Sequence, residues 1–424
     1  MVFENRGSVA LISVHGDPAV EFGCEEAGGQ NVYVRRVGEE LADRGWTVDM
    51  FTRQSSPDQP EIVEHQPGCR TIRLTAGPKA FINRNQLFGY LPEFLTAFRQ
   101  YQADNSIIYP LVHTNYWLSA WIGLQLKQSQ VTRLVHNNHS LGAVKYQSSK
   151  TIPLIARTRL EIEKKCVETS DCIIATSPQE VEHIRSLVST NGNIEIIPCG
   201  TDTQRFQATD QQSARQKLEI SQASHLILYV GRFDPRKGIE TLVRAVANPQ
   251  VQRHQNVNLM IVGGSRSERK DNQEKNRIEA IVKQLGLQDR VTFAGQISHE
   301  FLPDYYAASD ICVVPSLYEP FGLVPIEAMA CGTPVIASAV GGLKYTVIDG
   351  ETGLLVPPQQ DEKLASAIDH LISNPARRQT MGRAGHQRVL AHFSWKGVAN
   401  QLDQLYTTQL NHLYREFFPE NSAS

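Results

Sequence analysis

Gly231-Arg232-Phe233-Asp234-Pro235-Arg236-Lys237-Gly238 places three cations within six residues, directly after the apolar run Leu226–Val230. Arg232 and Lys237 stand five apart across a proline turn, so a planar fork and a point charge can converge above a strand end. That pairing suits a diphosphate; the alternative is a solvated basic turn. A second constellation follows Ile311–Pro315: Glu319-Pro320-Phe321-Gly322-Leu323-Val324-Pro325-Ile326-Glu327. Gly322 lets backbone approach a ligand, Val324 opens a short helix, and Glu319 and Glu327 project into one crevice at different depths. A carboxylate accepts hydrogen bonds from two hydroxyls, so a diol such as a ribose is its natural partner. Their separation across a loop is not a helical i, i+4 spacing. Gly28-Gly29-Gln30, before a helical period, offers free N–H groups to an anion or to sugar oxygens, although paired glycines also serve tight turns. Arg84, Lys145, Arg157 and Arg159 share no simple surface helix and, if they converge, form a second phosphate site. Singly, each is an ordinary surface cation. His139 follows the strand Arg133–His136 and is either a site residue or a buried hydrogen-bonded histidine.

Those residues need scaffolding, and strand and helix signals alternate throughout, the pattern of doubly wound parallel sheets. Strands are predicted at Ser8–Val14, Thr47–Thr52, Thr71–Leu74, Ser106–Leu111, Arg133–His136, Cys172–Thr176 and Ile194–Ile197. The turn cluster Pro198–Asp202 closes this series, and a polar linker runs to Gln212. The alternation restarts with strands at Leu226–Val230, Asn258–Val262, Val291–Phe293, Ile311–Pro315, Val335–Ala337 and Leu354–Val356. Asp271–Lys275 reads as a charged loop before a helix at Asn276–Leu285. The expected organisation is an α/β fold of two Rossmann-like domains, residues 1–200 and 201–393, facing across a cleft. The helical tail 394–424 is expected to cross back onto the first domain. Ligands in such sheets bind beyond the carboxyl ends of the strands.

Composition narrows the partners. The chain has 424 residues, 41% apolar and 20% charged, with 42 Lys+Arg against 44 Asp+Glu. A net charge of −2 supplies no bulk field for nucleic acid or anionic lipid, so anion binding must be local. No apolar run approaches the ~20 residues of a membrane span, and no signal peptide is read at the start. Seven scattered cysteines without a CxxC pair suit a reducing cytoplasm and provide no metal framework. No metal or organic cofactor is implied.

The motif from Glu319 to Glu327, with Arg232 and Lys237, resembles the E-x7-E signature and diphosphate-binding pair of the retaining GT-B glycosyltransferases of family 4. His15-Gly16, Gly28-Gly29-Gln30, His139-Ser140-Leu141-Gly142 with Lys145, and Arg157-Thr158-Arg159 are similar to the sucrose-phosphate synthase branch. That resemblance implies transfer of glucose from UDP-glucose, or another nucleoside diphosphate glucose, to fructose 6-phosphate. It also implies roles. Arg84, Lys145, Arg157 and Arg159, with Gln30, hold the acceptor. Gly28, Gly29, Gln30 and His139 contact the donor glucose and the reacting region. Arg232 and Lys237 neutralise the leaving diphosphate, Glu319 binds glucose hydroxyls and Glu327 the ribose. Phe321, Gly322 and Leu323 line the donor through the signature, and Ile297 lies where the uracil is received. No carboxylate at Gly28–Gln30 presents a covalent nucleophile, so retention by front-face attack is expected, the leaving phosphate taking the acceptor's proton. His113–Trp117, Gly341–Leu343 and Gly350–Gly353 also resemble the branch that glycosylates inositol phosphate. Two further readings stay open: a non-catalytic nucleotide-sugar sensor and a nucleotide-sugar 2-epimerase.

Overall fold

A computed structural model describes residues 6–20, 29–147, 152–264 and 270–417. The chain divides into two units, Met1–Ile197 with Trp395–Ser424, and Pro198–Ser394.

The first unit is built on eight strands: β1 Gly7–Ile12, β2 Trp46–Arg53, β3 Ile62–Gln66, β4 Cys69–Leu74, β5 Leu111–Asn115, β6 Arg133–Asn137, β7 Cys172–Ala175 and β8 Ile194–Ile196. Their order is β3-β4-β2-β1-β5-β6-β7-β8, parallel except for β3 against β4. Val9–Ile12 is buried on both faces, as a central parallel strand covered by helices must be. Helix Gly29–Ala42 turns Tyr33, Val34, Val37 and Leu41 inward at helical spacing. Phe51, Phe98 and Tyr109 meet edge-on or tilted under β2, with centroids 4.6–5.9 Å apart. Each such ring, fully buried, contributes roughly 1.5–3 kcal/mol.

The last helix, Trp395–Phe417, packs on this same unit. Trp46 Nε1 donates to Asp403 at 2.7 Å, and Tyr406 lies edge-on to Trp46. The Tyr406 hydroxyl meets His113 Nδ1 on β5 at 2.5 Å.

The second unit holds β9 His225–Val230, β10 Val257–Val262, β11 Val291–Gly295, β12 Ile311–Val314, β13 Val335–Ser338 and β14 Gly353–Val356. All six are parallel, in the order β11-β10-β9-β12-β13-β14. Strand order reverses between β1 and β5 in one sheet and between β9 and β12 in the other. Those switch points open crevices at the carboxyl ends, where ligands of such sheets bind.

Two predicted elements are corrected. The strand expected at Ser106–Leu111 begins only at Leu111 and runs to Asn115. Ser106 has φ 51° and closes the preceding helix, Ile108 is exposed, and Pro110 has no N–H to give a ladder. The predicted loop Asp271–Lys275 is the first part of helix Lys270–Gln284. It contains no Gly or Pro, and Glu274–Arg277 and Lys275–Glu279 pair at helical spacing.

Candidate active site

In the second unit the loop after β9 is rigid. Asp234 accepts from the Arg236 backbone at 3.0 Å and pairs with its guanidinium at 2.5 Å, so Arg236 is committed internally. Gly238 sits at φ 69°, and a Cβ there would lie 2.0 Å from the Pro315 carbonyl oxygen. No other residue fits between the two loops. Leu317 N–H donates to the Arg236 carbonyl at 2.7 Å, tying the β9 loop to the β12 loop. Lys237 Nζ thereby reaches Glu319 Oε2 at 2.5 Å, although 82 residues separate them. Arg232 is exposed.

Gly322, at φ 97°, precedes helix Leu323–Ala330. Phe321 is buried against Phe393, and Leu323 is half-buried. Glu327 is buried, with Tyr306 Oη donating to Oε2 at 2.8 Å and His299 Nε2 lying 3.2 Å from Oε1. Arg205 Nη1 faces His299 Nδ1 at 3.3 Å, which makes Nδ1 the acceptor and Nε2 the donor to Glu327. Burial, reinforced by the Glu327 charge, raises the Tyr306 hydroxyl well above its ordinary range and keeps it a donor. Phe206 packs edge-on against both His299 and Tyr306. Ile297 is half-buried just past β11.

In the first unit Gly28 lies outside the described residues; Gly29 opens its helix. Gln30 Nε2 donates to Ser13 Oγ at 2.9 Å and to the Asn115 carbonyl at 3.3 Å. His139 has φ 53°, a left-handed conformation rare outside glycine. Its ring meets Asn115 Oδ1 at 2.8 Å, its N–H meets Asn137 Oδ1 at 3.1 Å, and Tyr33 lies edge-on 4.9 Å away. Burial lowers the His139 pKa to about 3, with smaller contributions from His136 and His15. The ring is neutral at pH 7.

Tyr116, at φ 75°, organises the cations. His15 stacks on it at 4.6 Å with a 48° tilt, and the Arg159 guanidinium lies 4.9 Å above the ring and 3.2 Å from its hydroxyl. Burial first, then Arg84, Arg159 and Lys145 in turn, push the His15 pKa down to about 3. Of these cations Arg159 is in contact with Tyr116, while Arg84 is exposed and Lys145 half-buried, both near enough to act on His15 through their charge. Arg157 does not join them. Two residues on a helix turn about 200°, and Arg157 is 90% exposed, paired with Glu161 along the surface. Arg159 is 2% exposed and clamped by Glu163 at 2.7 Å and by the Ser140 carbonyl. Around this cluster His15 Nδ1, His113 Nε2, Asn137 Nδ2 and Asn138 Nδ2 are buried without a partner among the described residues. Each unmet buried group costs roughly 1–3 kcal/mol.

A family model described as "Glycosyl transferase 4-like domain" matches residues 28–200, and one described as "Glycosyl transferases group 1" matches 210–388. D-inositol 3-phosphate glycosyltransferase from Corynebacterium jeikeium (strain K411) is 36% identical over 407 residues, covering 94% of this chain and 96% of that protein. The chain belongs to the family 4 glycosyltransferases. Sucrose-phosphate synthase from Thermosynechococcus elongatus is 52% identical, with a TM-score of 0.89 over 96% of this glycosyltransferase and all of that chain, 100%. Anabaena HepE, solved in complex with UDP-glucose, shares the fold at 20% identity and a TM-score of 0.74, covering 95% and 99% of the two chains. The fold is GT-B, and the sensor reading falls with the family assignment. Among the described residues of the glycosyltransferase, no helix is long and apolar enough to cross a membrane. No three His, Cys, Asp or Glu side chains there gather as metal ligands.

Sequence reasoning gave no role to several residues that build these candidate sites: Asn137, Glu163, Arg205, His299 and Tyr306, while Asn115 and Tyr116 entered only within the resemblance motif His113–Trp117. One signal was available. His113-Thr114-Asn115 is a polar run in a fully buried central strand, and polar groups are buried there only with partners or a purpose.

Proposed function

We propose that this glycosyltransferase moves glucose from UDP-glucose to fructose 6-phosphate, giving sucrose 6-phosphate and UDP with retention at the anomeric carbon. The observation that carries the reading is the 52% identity to a sucrose-phosphate synthase across nearly the whole chain. The Arg159 guanidinium on Tyr116, with the positive charge of Arg84 and Lys145 acting on the neighbouring His15, supports a phosphorylated acceptor. In this reading Gln30 and the acceptor cations hold fructose 6-phosphate, with Arg157 added only if its side chain leaves Glu161.

On the donor side, Arg232 and Lys237 neutralise the departing diphosphate, Glu327 takes the ribose diol and Glu319 the glucose hydroxyls. Gly28, Gly29 and His139 meet the glucose, Phe321, Gly322 and Leu323 border it, and the uracil rests near Ile297. The bond from the anomeric carbon to the β-phosphate oxygen breaks, and the acceptor oxygen bonds to the same face. Its proton passes to the leaving diphosphate. Fixed cations aimed at that developing charge are the dominant source of rate. Six described cysteines, all free and buried, fit a reducing cytoplasm.

A second reading is favoured by the 36% identity to an inositol phosphate glycosyltransferase, whose acceptor also carries phosphate. Purified protein should release UDP from UDP-glucose only when fructose 6-phosphate is added, and the product's anomeric configuration should be read by NMR. UDP release with inositol 3-phosphate and none with fructose 6-phosphate would overturn the proposal in favour of the second reading.

A further inference from the structure

Asn115 ends β5 and is 1% exposed. Its Nδ2 faces two backbone carbonyls, His113 at 3.4 Å and Ile12 at 3.5 Å. Turning the amide over would set oxygen against both, so these partners leave Oδ1 as the atom toward His139 Nε2 at 2.8 Å. An amide oxygen only accepts. The hydrogen of the neutral imidazole therefore sits on Nε2, and Nδ1 carries the lone pair. Among the described residues His139 Nδ1 has no hydrogen-bond partner, and its backbone is pinned separately by Asn137 Oδ1. The same Asn115 accepts from Gln30 Nε2 through its main-chain carbonyl oxygen. One strand-end residue thus ties together two groups from different elements, Gln30 after β1 and His139 after β6.

We propose that Asn115 is a positioning residue for glycosyl transfer: it holds His139 as the Nε2–H tautomer and couples that ring to Gln30. His139 then presents an unprotonated Nδ1 toward the sugar and does not serve as a proton donor. The titratable histidines around it, His15, His113 and His136, are themselves kept neutral by burial, and Tyr33 lies edge-on to it. The inference rests on His139 contacting the sugar, but the tautomer itself is independent of any substrate.

Full-length protein labelled with ¹⁵N-histidine, free of substrates, reports the tautomer directly, with His139→Gln used only to assign the signal. The expected result is a neutral Nε2–H ring from about pH 6 to about pH 8. An Nδ1–H ring or an imidazolium at pH 7 overturns the proposal, whatever the acceptor proves to be. Asn115→Leu should mix the tautomers and lower kcat roughly tenfold, as loss of one orienting hydrogen bond does, while the KM for each substrate stays within about twofold. Asn115→Asp keeps the accepting oxygen, so it should restore the Nε2–H signal and most of kcat at high pH. It should also add an acidic limb, because a carboxylate stabilises the imidazolium. Wild-type kcat in a folded Asn115→Leu protein overturns the positioning role, and the wild-type spectrum decides the tautomer if that variant fails to fold.

Discussion

Replacing Glu319 by Gln should tighten UDP while slowing transfer. Glu319 Oε2 lies 2.5 Å from Lys237 Nζ, with the two side chains 15% and 27% exposed. In the proposed donor complex the same ammonium faces the diphosphate, so Glu319 competes with the ligand for it. Fully exposed pairs contribute about 0.2–1 kcal/mol, and partial burial places this one near the upper end. Releasing Lys237 should therefore gain about 1 kcal/mol for UDP, roughly fivefold in Kd. The intact donor also loses the Glu319 contact to its glucose, so kcat falls. Lys237→Ala should do the opposite to UDP and cut transfer by on the order of 10²–10³, the usual cost of removing one fixed donor to developing charge. In the Lys237→Ala background the Glu319→Gln effect on UDP should vanish, because the competed-for charge is gone. Calorimetric titration of UDP into the four proteins, with initial rates alongside, measures every term. Weaker UDP binding by Glu319→Gln, or an equal gain without Lys237, refutes the competition. Near-normal turnover in Lys237→Ala removes the diphosphate assignment itself.

Arg159→Met strands Glu163, and breaking a buried ion pair on one side costs roughly 3–5 kcal/mol. Arg159→Met with Glu163→Leu should recover most of that loss in urea denaturation, while the KM for fructose 6-phosphate stays raised in both variants. Recovery of KM in the double variant would make Arg159 purely structural. Acid sensitivity follows from the buried histidines, whose pKa values fall to about 3 for His15, about 3 for His113, about 4 for His136 and about 3 for His139, burial being the largest cause each time. Below about pH 6.5 the unfolded chain binds protons that the folded one refuses, so stability is full above that pH and drains toward about pH 3. Each histidine contributes up to about 1.4 kcal/mol per pH unit. His113→Gln should flatten the fall of the urea midpoint with pH, and an unchanged slope would show that His113 is protonated in the folded state.

The sheets were legible because their strands are short continuous apolar runs such as Val9–Ile12 and Leu226–Val230, which parallel strands buried on both faces require. The misreadings came where that rule meets local chemistry. Ile107 and Ile108 extend an apolar run into Leu111, yet Pro110 and the left-handed Ser106 keep them out of the ladder. Asp271–Lys275 has no apolar period of its own, and its helix is held by side-chain pairs that a hydrophobic pattern does not record.

The site was legible to the extent that loop chemistry announces itself. Gly238 must be glycine because a carbonyl stands 2.0 Å from where its Cβ would go, and the loop motif around it survives as a local string. Arg157 and Arg159 show the opposite case: spacing of two reads as a pair in a string and as two sides of a helix in space, with one guanidinium in solvent and the other clamped beneath Tyr116. His299 and Tyr306 carry no string at all, and the string around Asn115 does not say what its side chain does. Each acts on a partner 21 to 28 residues away, through one atom whose direction the fold decides: Oδ1 on His139, Nε2 and Oη on Glu327. What a sequence can signal in such cases is the anomaly, a polar run inside a buried strand. The anomaly at His113–Asn115 marks the strand end on which this glycosyltransferase orients His139 and Gln30.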